Sequence, residues 1–487
     1  MFLELDGHGP HYAQLIRAIK AGILNGRLTS GMRLPPTRTL ALELGLSRIT
    51  VLTAYEQLRA DGFIKGCAGA GSYVCTLKIA PALRSIESAI APPSRYARRA
   101  RQVYDRTVYQ PHVELPYDLQ YGAPMNSVAM SSAWGHELAR AASRTPVGGV
   151  GTQGLHALRQ QVCDYLALRR GITVLPENVL IVNGTQQAYA LAARVLIDEN
   201  DSAVLEEPHY FGAYQAFVAH GVNIRVTRTD SEGIVCDELP DLAPRLICVT
   251  PSHQFPTGAV MSLPRRLELL RYAASKQCWI FEDDYDGEFR YDSHPLAALR
   301  ALDEGDRVIY AGTFTKALLG SLRLGYMVLP AVLREDFVIA KYFSDISSSD
   351  VEQMALAHFM EDGGFERHLR FVRKELQARH EALVDGLRQY AGDRVDIVDT
   401  PAGMHVVVWL PNYDYATVDV LIASALQRGL GLHRVAPHYL NPPSCPGLVL
   451  GYGGLSPTAL HEAMQLFGKC LDEIDAKACR ASATATP

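Results

Sequence analysis

The chain has 487 residues, 48% hydrophobic and 20% charged, an ordinary globular composition at about three times the usual single-domain length, so two or more cores are expected. No run of about 18 apolar residues appears and the first residues lack a basic start with an apolar stretch, so neither a membrane span nor a secretion signal is expected. The net charge of −5 is uneven: residues 1–110 carry 15 Lys+Arg against 7 Asp+Glu, and the remainder 32 against 45. A basic beginning on an acidic body fits a nucleic-acid-binding module attached to something else, although a solvated basic face would look the same. Nine cysteines without CxxC pairs or paired histidine spacing predict reduced thiols in a cytoplasmic chain, with no metal site.

Leu15, Ile16, Ile19, Ile23 and Leu24 recur at helical spacing and predict a first helix ending near Asn25-Gly26. Pro35-Pro36 then break the chain. Thr37 is the expected N-cap of a short helix carrying Leu40, Leu42 and Leu44, and Gly45 supplies the left-handed residue of a tight turn. Ser47 is expected to cap a third helix whose Val51, Ala54, Tyr55 and Leu58 share a buried face. Its other side shows Arg48, Thr50 and Thr53, where a recognition helix meets the major groove and Arg pairs with guanine. Phe63-Ile64 and Tyr73-Val74 read as short strands around the glycine-rich wing GCAGAGS. The periodicity alone also fits a small helical domain used for protein contacts.

The residue order is more telling. LTSGMRLPPTRTLALELGLSRITVLTAYEQLRADGFI, followed by GAGSYV, resembles the DNA-binding domain of the GntR family of bacterial regulators. The resemblance implies a winged helix-turn-helix over residues 1–76 and double-stranded operator DNA as partner. It puts Arg38, Ser47 and Arg48 at the DNA, with Arg33 and Thr50 as phosphate or base neighbours. Residues 77–115 contain APPS, repeated alanines and Arg84, Arg95, Arg98, Arg99, Arg101 and Arg106 without sustained periodicity. They are expected to be an interdomain linker, helical in part at most, and either a solvated tether or an additional electrostatic contact to DNA.

From 116 to 487, helical segments alternate with β-branched runs such as VLIVNG, SAVLEEP, RLICVTPS, CWIFEDDYD and RVIYAGTF. That alternation predicts an α/β fold with a mostly parallel sheet, whose ligands gather at the carboxyl ends of the strands. Four signatures sit at such ends. Gly184-Thr185-Gln186 opens a helix where backbone amides can hold a phosphate. Tyr210 follows a strand as a stacking or core aromatic. WIFEDDYDGEF puts carboxylates after an apolar strand, where one beside a pyridine nitrogen would keep it protonated. GTFTK holds Lys316 in a hydroxyl-rich loop with Arg323 seven residues on, and a lysine beside a cation can lose its proton and form a Schiff base. Each has a structural explanation when taken alone.

Together, in this order, the four resemble the fold type I aminotransferases over about residues 116–475. The resemblance implies pyridoxal 5'-phosphate as cofactor, with Lys316 as its Schiff-base lysine. It implies Asp283 at the ring nitrogen, Tyr285 at the ring hydroxyl and Tyr210 stacked on the ring. Gly184, Thr185, Gln186, Thr313 and Arg323 fall to the phosphate. A winged helix joined to such a domain resembles the MocR/GabR subfamily from end to end. The expected function is a PLP-dependent, DNA-binding transcriptional regulator that senses a small-molecule amine, an amino-acid derivative or PLP, as a homodimer with a small C-terminal subdomain in each chain. An active aminotransferase with an accessory DNA-binding domain is the alternative.

Three positions depart from the family patterns. SHQFPTG puts Phe255 where an Asn usually contacts the ring hydroxyl, leaving Ser252, His253 or Gln254 as substitutes. Gly149 stands where many relatives carry a Tyr that reaches the neighbouring subunit's phosphate. APHYL puts His438 where the GabR-like pattern has its substrate-carboxylate Arg, with Arg434 near but out of register. His438 and Arg434 are the candidate effector contacts, and exchanging a permanent bidentate clamp for an imidazole weakens the case for a carboxylate ligand of the GABA type.

Overall fold

The computed structural model describes residues 3–67, 71–77, 92–104, 115–123, 125, 128–144, 151–291 and 296–484. The chain divides into two compact units, Met1–Pro92 and Pro93–Pro487. No described helix is long and apolar enough to cross a membrane.

In the first unit, α1 (His11–Leu24), α2 (Thr37–Leu44) and α3 (Arg48–Ala60) enclose a core that includes Leu15, Ile19, Leu34, Leu40, Val51 and Leu58. Gly45, at φ 66°, closes the turn between α2 and α3. Ser47 Oγ accepts the Thr50 N–H at 3.0 Å and so satisfies one of the amides that the start of α3 leaves unpaired. The four residues expected on the buried face of α3 are all buried. Tyr55 reaches across to donate its hydroxyl to the Pro35 carbonyl at 2.9 Å, which ties α3 to the entry of α2. Strands β1 (Ile64–Cys67) and β2 (Gly71–Val74) pair antiparallel as the wing, with the tip at 68–70 outside the described residues.

Two details of α2 differ from expectation. Pro36 holds the cap position and Thr37 is the first helical residue. Leu42 is 85% exposed, because α2 is little more than two turns long and Leu42 lies roughly 200° around the axis from Leu40. Leu40 and Ala41 are the residues of α2 that turn fully inward.

The second unit starts with α4 (Arg95–Tyr104), then β3 (Tyr117–Asp118), α5 (Val128–Ala142) and α6 (His156–Arg170). Next come β4 (Val179–Val182), α7 (Thr185–Leu196), β5 (Ser202–Glu207), α8 (Phe211–His220), β6 (Asn223–Asp230), β7 (Gly233–Ile234) and β8 (Leu246–Val249). They are followed by α9 (Leu263–Lys276), β9 (Trp279–Asp284), β10 (Val308–Thr313), β11 (Gly325–Val328), α10 (Arg334–Asp345), α11 (Asp350–Glu361) and α12 (Gly364–Tyr390). The chain ends with β12 (Asp396–Val398), β13 (His405–Trp409), α13 (Tyr415–Gln427), β14 (Leu430–Gly431), β15 (His433–Arg434), β16 (Gly447–Gly451) and α14 (Pro457–Thr484).

The main sheet has the order β4-β11-β10-β9-β8-β5-β6-β7. Its central strands β10, β9, β8, β5 and β6 run parallel, while β11 is antiparallel to both neighbours and β7 to β6. Strands β4, β8 and β10 are buried along their whole length, as expected where helices cover both faces of a sheet. A second, antiparallel sheet, β12-β13-β16-β15, forms the smaller C-terminal part.

Helix α4 lies inside the arginine-rich stretch. It packs on α8, where Tyr96 meets His220 edge-on at 5.1 Å, and Arg99 pairs with Glu199 of the loop after α7 at 2.8 Å. Arg99 Nε also donates to the Ala219 carbonyl at 3.1 Å, so a cation sits at the C-terminal end of α8, where the helix dipole favours it.

Candidate functional site

A cavity opens beyond the carboxyl ends of β4, β5, β8, β9 and β10. Among its lining residues are Thr185, Gln186, Tyr210, Asp283, Tyr285, Thr313, Lys316 and Arg323. Gly184 borders it, held at φ 81° as the N-cap of α7, with Arg323 so close that a Cβ there would approach the guanidinium at 3.0 Å.

One end of the cavity is built for an anion. The N–H groups of Thr185 and Gln186 are at the start of α7, where a helix has no internal acceptor for them. The Gln186 side chain is engaged elsewhere, donating to the Gly212 carbonyl at 3.0 Å. The exposed guanidinium of Arg323 has no hydrogen-bond or ion-pair partner among the described residues. Thr315 donates its hydroxyl to the Leu322 carbonyl at 2.6 Å, which fixes the loop between Lys316 and Arg323.

The other end holds the titratable groups. Asp283, at the end of β9, is buried, and burial pushes its carboxyl up to about 7 even though Tyr189 donates to Oδ2 at 2.9 Å. Its Oδ1 is buried with no partner among the described residues. Lys316 Nζ donates to the Gly122 carbonyl at 2.5 Å, and Gly122 itself sits at φ 74°, a backbone conformation that favours glycine. Burial, and then the Arg323 charge, lower the Lys316 pKa. A lysine that surrenders its proton readily is a nucleophile at neutral pH.

The departures from the family pattern have structural answers. Phe255 lines the cavity with its ring near those of Tyr121, Tyr210 and Tyr285. Of the three suggested substitutes, His253 is the one that touches Tyr285: its Nδ1 lies 3.0 Å from the hydroxyl and 2.9 Å from Asp286 Oδ2. Gln254 instead braces its own loop through the Pro208 and Phe255 carbonyls. His438 is buried one layer behind the wall, 3.2 Å from the Tyr121 hydroxyl. Arg434 does not reach the cavity; it pairs with Asp419 on the surface. Gly149 lies outside the described residues.

Tyr121, Gly122, Met404 and His405 also line the cavity. They come from the segment after β3 and from the start of β13, distant in sequence from the strand-end motifs. The sequence held no local signal for them.

In the first unit, Arg33, Arg38, Ser47 and Arg48 are exposed and Thr50 is half-buried. None of the three arginines has an ion-pair partner among the described residues. Arg33 bridges to Tyr73 through its backbone, which puts it beside the wing.

Two family models match. That of the bacterial regulatory proteins of the gntR family covers residues 11–74, and that of aminotransferase class I and II covers residues 120–447. The probable rhizopine catabolism regulatory protein MocR of Rhizobium meliloti is 35% identical over 95% of this chain and 94% of its own length. The HTH-type pyridoxine biosynthesis transcriptional regulator PdxR of Corynebacterium glutamicum is 27% identical over 93% and 94%. Among solved structures, the α-aminoadipate aminotransferase LysN of Thermus thermophilus, complexed with N-(5'-phosphopyridoxyl)-L-leucine, superposes with a TM-score of 0.67. It is 26% identical over 79% of this chain and 98% of that one. Fold, site and relatives together define a transcriptional regulator made of a DNA-binding winged helix and an aminotransferase-like domain. The chain belongs to the GntR-family regulators of the MocR/GabR subfamily.

Proposed function

We propose that this regulator holds pyridoxal phosphate in the cavity of its larger unit and that the occupant of that cavity governs how its winged helices engage a double-stranded operator. The observation that carries this reading is the buried, unpartnered Oδ1 of Asp283 in the cavity wall. An unpaired buried carboxylate oxygen is costly, and a protonated pyridine nitrogen both relieves it and is held protonated by it. The other residues fit the same group. Tyr285, braced by His253, suits the ring hydroxyl, and Tyr210 suits the ring face. The amides of Thr185 and Gln186, the turn at Gly184, the Thr313 hydroxyl and Arg323 suit the phosphate. Lys316 suits the carbonyl. When bound, the cofactor supplies an electron-poor ring and a carbonyl at which amines exchange.

The name of the Rhizobium relative refers to rhizopine catabolism and that of the Corynebacterium relative to pyridoxine biosynthesis. The reading for this chain is a small amine, an amino-acid derivative or PLP as effector, acting in the cytoplasm. On the DNA side, Arg48 and Ser47 open the recognition helix onto bases, while Arg38, Arg33 and Thr50 hold phosphates or neighbouring bases. The working form is a homodimer. Ile339, Tyr342 and Phe343 on α10 and Ile346 at its C-terminal cap are exposed apolar side chains, a surface that a monomer seldom leaves in water.

Purified protein should carry a visible absorbance band, and borohydride should fix the cofactor to Lys316, as read by peptide mapping. Loading the cavity should change operator affinity by about 1–3 kcal/mol. A Lys316→Ala chain that still carries borohydride-fixed cofactor overturns the assignment.

A further inference from the structure

We propose that the effector of this cavity is a primary amine that has no carboxylate and bears hydroxyl or amino hydrogens on its body, read by Asp286 and His405. The proposal rests on the cofactor assignment above and concerns the wall that the cofactor leaves over. Among the described residues, two cations line the cavity, Lys316 and Arg323. Arg323 lies against Gly184 at the anion end, and Lys316 is the amine that an incoming amine displaces. Arg323 is taken up by the phosphate, and burial biases the displaced Lys316 amine against the charge that a ligand carboxylate would need.

Beside the hydroxyls of the wall, Asp286 and His405 offer acceptors to a ligand. Asp286 is 2% exposed; one oxygen accepts from His253 Nδ1 at 2.9 Å, and the other is buried with no partner among the described residues. His405 lies 2.8 Å from the Pro256 carbonyl through Nε2. A carbonyl only accepts, so Nε2 carries the proton and Nδ1 is left as a lone pair. Burial keeps this ring neutral by pulling its pKa down to about 4. His438, behind Phe255 at 4.9 Å between ring centres, is pushed down to about 3 by burial and brings no charge either. A carboxylate entering here would leave water to face Asp286 without a cation. A hydroxyl or an ammonium would instead supply the hydrogens that Asp286 and His405 lack.

The test uses four probes that each carry an amine on three carbons: 2-amino-1,3-propanediol, 1,2-diaminopropane, serine and isopropylamine. Full-length, cofactor-loaded protein is titrated with each, by absorbance and by calorimetry. The diol or the diamine should bind tightest, about tenfold or more ahead of serine, and whichever leads tells hydroxyl from amino recognition. Asp286→Asn should shrink that lead. Serine binding as well as the better of the two overturns the proposal, and an undiminished lead in a loaded Asp286→Asn protein overturns the role of Asp286. Silence toward all four probes, with cofactor still mapped to Lys316, overturns the amine-sensing reading beneath it.

Discussion

Arg33, Arg38 and Arg48 stand exposed on the winged helix with no ion-pair partner among the described residues. The charges behind the cavity are sequestered instead: Arg170 and Asp284 pair at 2.8 Å with both side chains 1% exposed, and Asp283, next to Asp284 in sequence, is buried too. The winged helix keeps these cations for a partner that arrives from solvent, and the floor of the cavity keeps its charged groups out of solvent. Exposed charges are screened by salt within a Debye length of about 10 Å at 0.1 M, whereas buried ones are shielded from it and answer to protonation. Ionic strength and pH should therefore act on different halves of this regulator.

The sharpest way to break that division is Lys316→Ala. It should abolish stable cofactor retention and make operator affinity indifferent to added effector, while the salt dependence of DNA binding stays that of the wild type. Absorbance and mobility-shift titrations at several salt concentrations measure all three, and a changed salt slope would contradict the division. The next largest effect is on pH. In the folded, cofactor-free chain Asp283 keeps its proton up to about pH 7, but an unfolded Asp releases it near 3.9. A folded pKa raised above the unfolded one contributes stability that is present at low pH and lost as pH rises through the folded value. Thermal denaturation of cofactor-free wild type and Asp283→Asn should show the stability difference moving in favour of the variant between roughly pH 4 and pH 7, by on the order of a few kcal/mol. Parallel curves would mean that the carboxyl is not held protonated.

Smaller effects belong to the exposed half. Arg48→Ala should lose sequence preference at about 1–3 kcal/mol, while Arg38→Ala weakens all sequences alike and lowers the salt slope by about 1. Competition binding with operator and random DNA separates the two outcomes. Ser47→Ala removes the cap bond to Thr50 and should lower the stability of the winged helix by about 1 kcal/mol, with the cofactor band unmoved.

The winged helix was legible because its information is local. The Ser47 cap, the left-handed Gly45 and the face of α3 each depend on residues within a turn or two, and the two misjudged residues, Thr37 and Leu42, both belong to a helix too short for periodicity to place its start or orient its faces. The strand-end motifs of the larger unit were legible for the same reason, since each is a few residues at the end of one strand. The rest of the cavity is tertiary. Gly122 meets Lys316 across 194 positions, and His405 arrives from the second sheet to rest on the Pro256 carbonyl across 149. Helix α4 was obscured by its own arginines, because the face that packs uses Tyr96 and the charged Arg99 rather than a stripe of aliphatic side chains.

The docking of α4 on α8 also sets a length. Between Leu77 and Arg95 the chain has 17 residues, numbers 78–94, whereas a tether running on to Leu115 would have 37, numbers 78–114. Fully drawn out, these span at most roughly 60 Å and 125 Å. Anchoring by Arg99 and Tyr96 thus halves the number of residues between the first unit and the nearest docked helix of the second. If the proposed homodimer binds paired half-sites, loosening the grip of α4 on α8 by Tyr96→Ala with Arg99→Ala should widen the set of half-site spacings accepted, as read by binding to operators of graded spacing.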